Sequence, residues 1–190
     1  IRLGFNDRNL LSEITQAVID AGANELTIHA RTKADGYKPP AYWDAIADIK
    51  TSSPIPVIAN GEIWTVKDYY DCVAQSGCAD VMLGRGLLAC PDLALQIKQH
   101  NNKIDNQPIP WLTVVDLLAQ FSVVTEEEYE PKYVGNRVKQ WLGYLRTHYL
   151  MAEQLFESIK RLKIPVEILA AIEDHKIGLL DSESIYKSEL

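Results

Sequence analysis

Residues Pro56–Trp64 read P-V-I-A-N-G-E-I-W, and one helix-length further on Asp80–Gly86 read D-V-M-L-G-R-G. Each is a short β-branched or apolar run, suited to a strand buried on both faces, that ends at a glycine beside a polar or charged residue. A third run, L-T-I-H-A-R-T, spans Leu26–Thr32 and also ends in polar groups. The gaps from His29 to Asn60 and from Asn60 to Gly84 each leave room for one helix and two short loops. That is the repeat of a parallel α/β fold, either a β/α barrel or an open doubly wound sheet.

Around these runs, apolar residues recur at helical spacing. Leu10, Leu11, Ile14, Ala17, Val18 and Ala21 predict a helix over 10–21, with Asn9 as its cap and Gly22 as its stop. Tyr42, Trp43, Ile46 and Ile49 predict a second helix, and Val66, Tyr69, Tyr70 and Val73 a third that Gly77 ends. Leu93, Leu95 and Ile97 predict a fourth that begins near Pro91, while Ile1–Gly4 reads as the end of a strand already under way. From about His100 the texture changes: N-N-K-I-D-N-Q-P-I-P is polar and proline-punctuated, as a linker is. Beyond it no strand–glycine punctuation recurs. Helices are predicted over 111–124, 131–149, 152–162 and 166–173, with an acidic turn E-E-E-Y-E after the first and a loose tail from Asp181. The expected organisation is therefore an α/β part over 1–103 and a helical bundle over 104–190.

The net charge of −7 argues against global attraction to nucleic acid, although an average can hide a local patch. Between Arg137 and Lys163 six cations face only Glu153 and Glu157. A solvated helix face is the plain reading of that surplus, and phosphate contact the functional one. No run of eighteen apolar residues and no basic-then-apolar leader occurs, so neither a membrane span nor secretion is indicated. Cys72, Cys78 and Cys90 are odd in number and lack CxxC spacing, which suits buried thiols in a reducing compartment better than disulfides or a zinc site.

Parallel α/β folds bind ligands at the carboxyl ends of their strands. Gly61, Gly84 and Gly86 allow backbone amides close to a phosphate, and Arg85 adds a permanent cation. Asn60 offers a donor and an acceptor. The Glu62 carboxylate would repel phosphate, which leaves it a ribityl or ribose hydroxyl, or a contact through its backbone N–H. His29, at the same level on the preceding strand, could donate to a phosphate or a flavin ring; a histidine satisfied within the fold is the other reading. Tight βα turns are likewise the other reading of the glycine loops. There is no Ser-His-Asp grouping, no pair of strand-end carboxylates and no cluster of metal ligands.

Four ordered motifs together resemble the tRNA-dihydrouridine synthases: H-A-R-T-K-x-x-G-Y (His29–Tyr37), P-V-I-A-N-G-E-I-W, G-C-A-D-V-M-L-G-R-G (Gly77–Gly86) and R-V-K-Q-W-L-G-Y-L-R (Arg137–Arg146). The N-G-E-I-W ending and the last motif most resemble the C-type bacterial branch, which modifies position 16 of the D-loop. The resemblance implies the C-terminal part of an FMN-binding TIM (β/α)8 barrel, from the end of strand five to helix eight, followed by an all-α tRNA-recognition domain. It implies a cytoplasmic flavoprotein in which NADPH reduces the flavin, the flavin passes hydride to uracil and a cysteine supplies the proton. Asn60, Gly61, Glu62, Gly84 and Arg85 would then hold FMN with His29 beside it, while Tyr37, Arg137, Lys139, Tyr144 and Lys160 would meet tRNA. No metal is implied, and the full-length enzyme would be monomeric.

One departure matters. The family's cysteine lies in an asparagine-cysteine-glycine-cysteine-proline motif that this chain lacks, and a flavin-contacting lysine would fall just before Ile1. The chain is therefore expected to be inactive by itself and to self-associate through open barrel edges. Two other readings are a non-catalytic RNA-binding fragment and a different phosphate- or flavin-binding barrel acting on a small metabolite; the latter leaves the basic helical part without a role.

Overall fold

The structure, a computed structural model, describes residues 1–104 and 107–188. Residues 105 and 106 of the expected linker, and the last two of the expected helical part, lie outside the described residues. The chain forms two compact units: one built on Ile1–Leu87 and the helix that starts at Leu93, the other on Leu88–Asp92 and the helices from Trp111 onward.

In the first unit three strands, β1 (Leu26–His29), β2 (Val57–Asn60) and β3 (Val81–Met82), form a parallel sheet in the order β1-β2-β3. Residues 1–4 run beside the other edge of β1: Arg2 bridges His29 in parallel, and the His29 N–H donates to Ile1 O at 2.9 Å. The expected strand end is thus present as a single bridge. Leu26, Ile28, Val57 and Ala59 point into a core with Leu11, Ile46, Ile49 and Cys72, which helices α1 (Leu11–Asp20), α2 (Asp44–Ser52) and α3 (Val66–Ser76) bring to the same face. Thr27, His29, Ile58 and Asn60 alternate with them and are only half-buried. The expectation of strands buried on both faces fails here, because among the described residues the packed helices supply one apolar face.

Local chemistry explains the helix ends. Asn9 does not cap α1; its N–H donates to Asp7 Oδ1 at 2.9 Å, and the helix starts from Leu10 without a side-chain acceptor. Helix α3 starts from a complete capping box, in which Thr65 accepts from the Asp68 N–H and Asp68 accepts in return from the Thr65 N–H. Gly77 ends α3 in the left-handed conformation, φ 69°. Two short helices follow, α4 (Arg85–Ala89), which periodicity did not predict, and α5 (Leu93–Asn101).

The second unit is helical: α6 (Trp111–Glu128), α7 (Pro131–Leu145), α8 (Ala152–Ile159) and α9 (Pro165–Ser188). Its core joins Val114, Val115 and Leu118 to Val138, Leu142, Leu155 and Ile168. The expected acidic turn is instead the last turn of α6. Glutamate is a good helix former, and the chain leaves the helix only at Tyr129, two residues before Pro131. Helix α7 stops at Leu145, short of the expected Tyr149, and α9 continues past Asp181, where a loose tail was expected. Among the described residues no helix is long and apolar enough to cross a membrane.

Thr65→Ala removes one half of the α3 capping box and is expected to lower the stability of the first unit by about 1 kcal/mol. Urea unfolding checks this: the midpoint falls with its slope unchanged, whereas an unmoved midpoint contradicts the role given to the cap.

Candidate functional site

Strand register sets the site. His29 lies opposite Asn60, Asn60 opposite Met82, and Arg2 beside His29, so one row crosses the sheet at the strands' carboxyl ends. A cavity of about 300 Å³ opens on this row, within the range of small-molecule sites. His29, Asn60, Gly61, Glu62, Gly84 and Arg85 all line it, and so does Tyr37. Gly86 lines it too, so the structure brings together the eight strand-end and loop residues of the first unit that the sequence singled out.

The turn after β2 is held by an ion pair between a buried arginine and a half-buried carboxylate. Arg31 is fully buried; its Nε donates to Lys38 O at 2.7 Å and Pro40 O at 3.2 Å, and its Nη2 donates to Glu62 Oε2. Trp64 Nε1 donates to the other Glu62 oxygen at 3.0 Å. Burial alone would push the Glu62 carboxyl up, but the hydrogen bonds from Arg31 and Trp64 and the charges of Arg31 and Arg85 outweigh it and hold the carboxyl below its ordinary range. Glu62 is therefore an anion committed to protein partners. Its backbone is left-handed, φ 57°, directly after Gly61 at φ 118°. The Gly61 carbonyl accepts from Trp43 Nε1 at 2.8 Å; a Cβ on Gly61 would make only ordinary contact with His29 Nε2, at 3.4 Å, so it is the positive φ that favours glycine there. Gly86 has a different reason to be glycine: its missing Cβ would sit 2.1 Å from Ile63 O. Close packing accounts for Gly86 without a ligand.

Arg85 lies 3.8 Å from Glu62 and stacks between two rings, 4.8 Å from the centroid of Tyr37 and 5.2 Å from that of Trp64. Arg2 approaches the Tyr37 ring to 5.2 Å and donates to Thr32 O and Gly36 O at 2.8 and 3.0 Å. Asn60 spends one donor on Met82 O at 2.7 Å, which ties β2 to β3. Sequence reasoning gave no role to Arg2, Arg31, Trp64 or Met82. Arg31 and Trp64 do stand inside quoted motifs, but nothing in their spacing marks them as partners of Glu62.

Burial, and then the guanidinium charges of Arg2, Arg31 and Arg85, lower the pKa of His29 to about 4 against the opposing pull of Glu62. The imidazole is neutral at physiological pH. Its Nδ1 is buried without a partner among the described residues, as is Arg31 Nη1. Orphaned buried nitrogens call for a polar group from outside the chain. The cavity offers a neutral ring nitrogen, two arginines at its wall and a glycine turn, a donor set that fits an anion attached to a hydrogen-bonding ring.

Two cavities in the second unit divide the other candidates. Arg137 and Tyr144 line one of about 380 Å³, with Phe121 and Trp141. Lys139 and Lys160 line another of about 770 Å³, with Lys132, Arg161 and Lys163. Lys139 Nζ donates to Leu162 O, and Lys160 pairs with Glu157. Arg146 is committed within the unit, donating twice to the Glu153 carboxylate at 2.6 and 2.9 Å. All three cysteines are buried and unpaired with one another; burial pushes the Cys72 thiol up to about 12 and raises that of Cys78 as well. Among the described residues no three His, Cys, Asp or Glu side chains form a metal site.

The profile of the family described as dihydrouridine synthase (Dus) matches residues 1–177. The tRNA-dihydrouridine(16) synthase of Shewanella oneidensis is 41% identical over 91% of this chain and 53% of its own length. That of Yersinia pestis is 43% identical over 91% of the chain and 54% of its own length, and that of Ralstonia nicotianae 40% over 97% and 56%. The chain thus spans about half the length of the curated relatives it matches.

The His29 resonances are expected to titrate near pH 4, and the midpoint to rise in Arg85→Ala. Because the folded pKa lies below the unfolded 6.5, the unfolded chain binds the extra proton between these values, so His29 erodes stability as pH falls through that window and is without effect above it. NMR titration checks this; a midpoint near 6.5 would mean that the field and the burial at this ring are absent.

Proposed function

The chain belongs to the dihydrouridine synthase family, and on that premise we propose that it is the C-terminal part of a flavin-dependent oxidoreductase that reduces uridine in the tRNA D-loop, at position 16, to 5,6-dihydrouridine. The cofactors are FMN and, as reductant, NADPH. The observation that carries the reading is the single cavity on which His29, Asn60, Gly61, Glu62, Gly84 and Arg85 converge, with a buried ring nitrogen that the protein leaves unpartnered.

The half-buried face of β1 and β2 supports a place in a TIM barrel, where such a face lines the interior. Residues 1–103 would form the barrel part and 104–190 the tRNA-recognition domain. Saturating uracil across its C5–C6 bond needs a hydride and a proton; FMN supplies the hydride when bound. Arg85 and the Gly84 backbone fit its phosphate, Arg2 adds positive field, and neutral His29 has its Nε2, beside the Gly61 turn, to accept or donate at the flavin's polar edge. Glu62, locked to Arg31 and Trp64, acts through its backbone by shaping the turn. The proton comes from none of Cys72, Cys78 and Cys90, which are buried and do not line the cavity. The activity therefore belongs to a polypeptide that also carries the cysteine the resemblance implies. Three cysteines with no disulfide among them suit a cytoplasmic setting.

Lys139 and Lys160 on one side of α7, and Arg137 and Tyr144 on another, would meet the RNA, with Tyr37 at the mouth of the flavin cavity. Two experiments test the reading. Protein carrying the cysteine is expected to form dihydrouridine at position 16 of unmodified tRNA with NADPH, and Arg85→Ala to lower the yield; no product from flavin-loaded protein contradicts it. Arg137→Ala and Lys139→Ala are each expected to reduce the salt dependence of tRNA binding by about one phosphate contact, roughly 0.7 to 0.9 in log–log slope. Unchanged slopes in both would remove them from the interface.

A further inference from the structure

Helix α7 carries two lines of non-core residues. Lys132, Asn136 and Lys139 follow one i, i+4, i+7 track, with buried Gly135 at its edge, and Arg137, Gln140, Trp141 and Tyr144 follow another. The second track starts five residues after the first, which rotates it about 140° around the axis at 3.6 residues per turn. The buried stripe of Val134, Val138 and Leu142 runs between them. The two tracks differ in chemistry. The first opens on a cavity walled by cations. The second opens on a cleft in which Phe121, Trp141 and Tyr144 supply rings, Leu88 supplies an aliphatic edge, and the polar groups at the wall include Arg137 and Gln140 but no carboxylate.

We infer that this cleft takes one unstacked nucleobase of the RNA, with its π face against the aromatic wall, its edge at the Gln140 amide and its own phosphate at Arg137. The inference rests on the RNA reading above and goes beyond it: base contact is assigned to one side of α7, phosphate tracking to the other. The platform is set in advance. Trp141 Nε1 donates to Leu88 O at 3.0 Å, and Phe121 meets the indole at 5.0 Å and 80°, so the ring loses little freedom when a base arrives. Arg137 lies 4.8 Å above the Tyr129 ring, which holds its charge beside the cleft. An apolar peptide would leave Arg137 and Gln140 without partners, at a desolvation cost that a nucleotide avoids by presenting a phosphate and a hydrogen-bonding edge. Stacking accepts any base, so the cleft selects unpaired nucleotides rather than a sequence.

The test compares an RNA hairpin bearing a uridine loop with the same hairpin made abasic in the loop, bound to the full chain over a range of salt concentrations. The uridine hairpin is expected to bind more tightly. Tyr144→Ala lowers its affinity roughly 5- to 100-fold, from the usual worth of a base–aromatic stack, without altering affinity for the abasic hairpin or the salt slope. Tyr144→Leu, which keeps bulk but not the ring, gives the same loss and guards against a folding defect. Equal affinities for the two hairpins, with a steep salt slope retained, overturn the base cleft and leave the RNA reading intact. Absence of salt-dependent binding to either hairpin overturns both. A dimer in sedimentation that Tyr144→Ala dissociates assigns the cleft to a second copy and also overturns the inference.

Discussion

A guanidinium sealed from water must be paired, and Arg31 is sealed completely. Its partners come from two places in the chain: the carbonyls of Lys38 and Pro40 in the loop after β1, and the carboxylate of Glu62 after β2. Removing one partner of such a pair typically costs about 3 to 5 kcal/mol, a large share of a domain's net stability of about 5 to 15 kcal/mol. Glu62 is thereby kept in a left-handed backbone, Gly61 before it has to be glycine, and the strand end turns sharply below the cavity. Trp64 is drawn to the second carboxylate oxygen and offers its ring to Arg85. One pair thus connects a loop, a strand end and the cation at the cavity wall.

The electrostatic result is a cavity with more positive than negative charge in a protein whose total charge is negative. Arg2 and Arg85 face it, Arg31 lies behind it, and Glu62 offsets part of their field. Tyr37, between the half-buried Arg2 and Arg85 and edge-on to His29 at 6.0 Å, keeps them apart and partly shielded. Such a field favours an anion over a neutral ligand of the same shape, because the charged groups are already in place and little reorganisation is needed.

The sequence disclosed the strand ends because each short apolar run stops at polar residues, with a glycine beside them after β2 and β3, and a parallel sheet then places such ends at one level. Parallel pairing of His29 with Asn60 and Asn60 with Met82 makes that level real. Arg2 and Arg31 escaped because their roles depend on contacts across the chain, Arg2 on the bridge to His29 and Arg31 on a carboxylate thirty-one residues away. Helix boundaries slipped where propensity and tertiary packing disagreed: the glutamates after Thr125 extend α6, and Asn9 loses its capping role to a local bond with Asp7. Helical spacing by itself puts Arg137 and Tyr144 on one flank of α7 and Lys139 on the other. What spacing could not give was the partner of each flank, Phe121 of α6 on one side and the cations near α8 on the other.

Everything proposed about chemistry depends on the cavity being built for a flavin with an anionic tail. Equilibrium titration with FMN and with riboflavin, which has the same ring but no phosphate, isolates that property. The account predicts strong binding of FMN and a deficit for riboflavin of about 1.5 to 3 kcal/mol for each charged hydrogen bond lost, a gap that narrows in Arg85→Ala. Equal affinity for the two flavins, or no uptake of either, would contradict it.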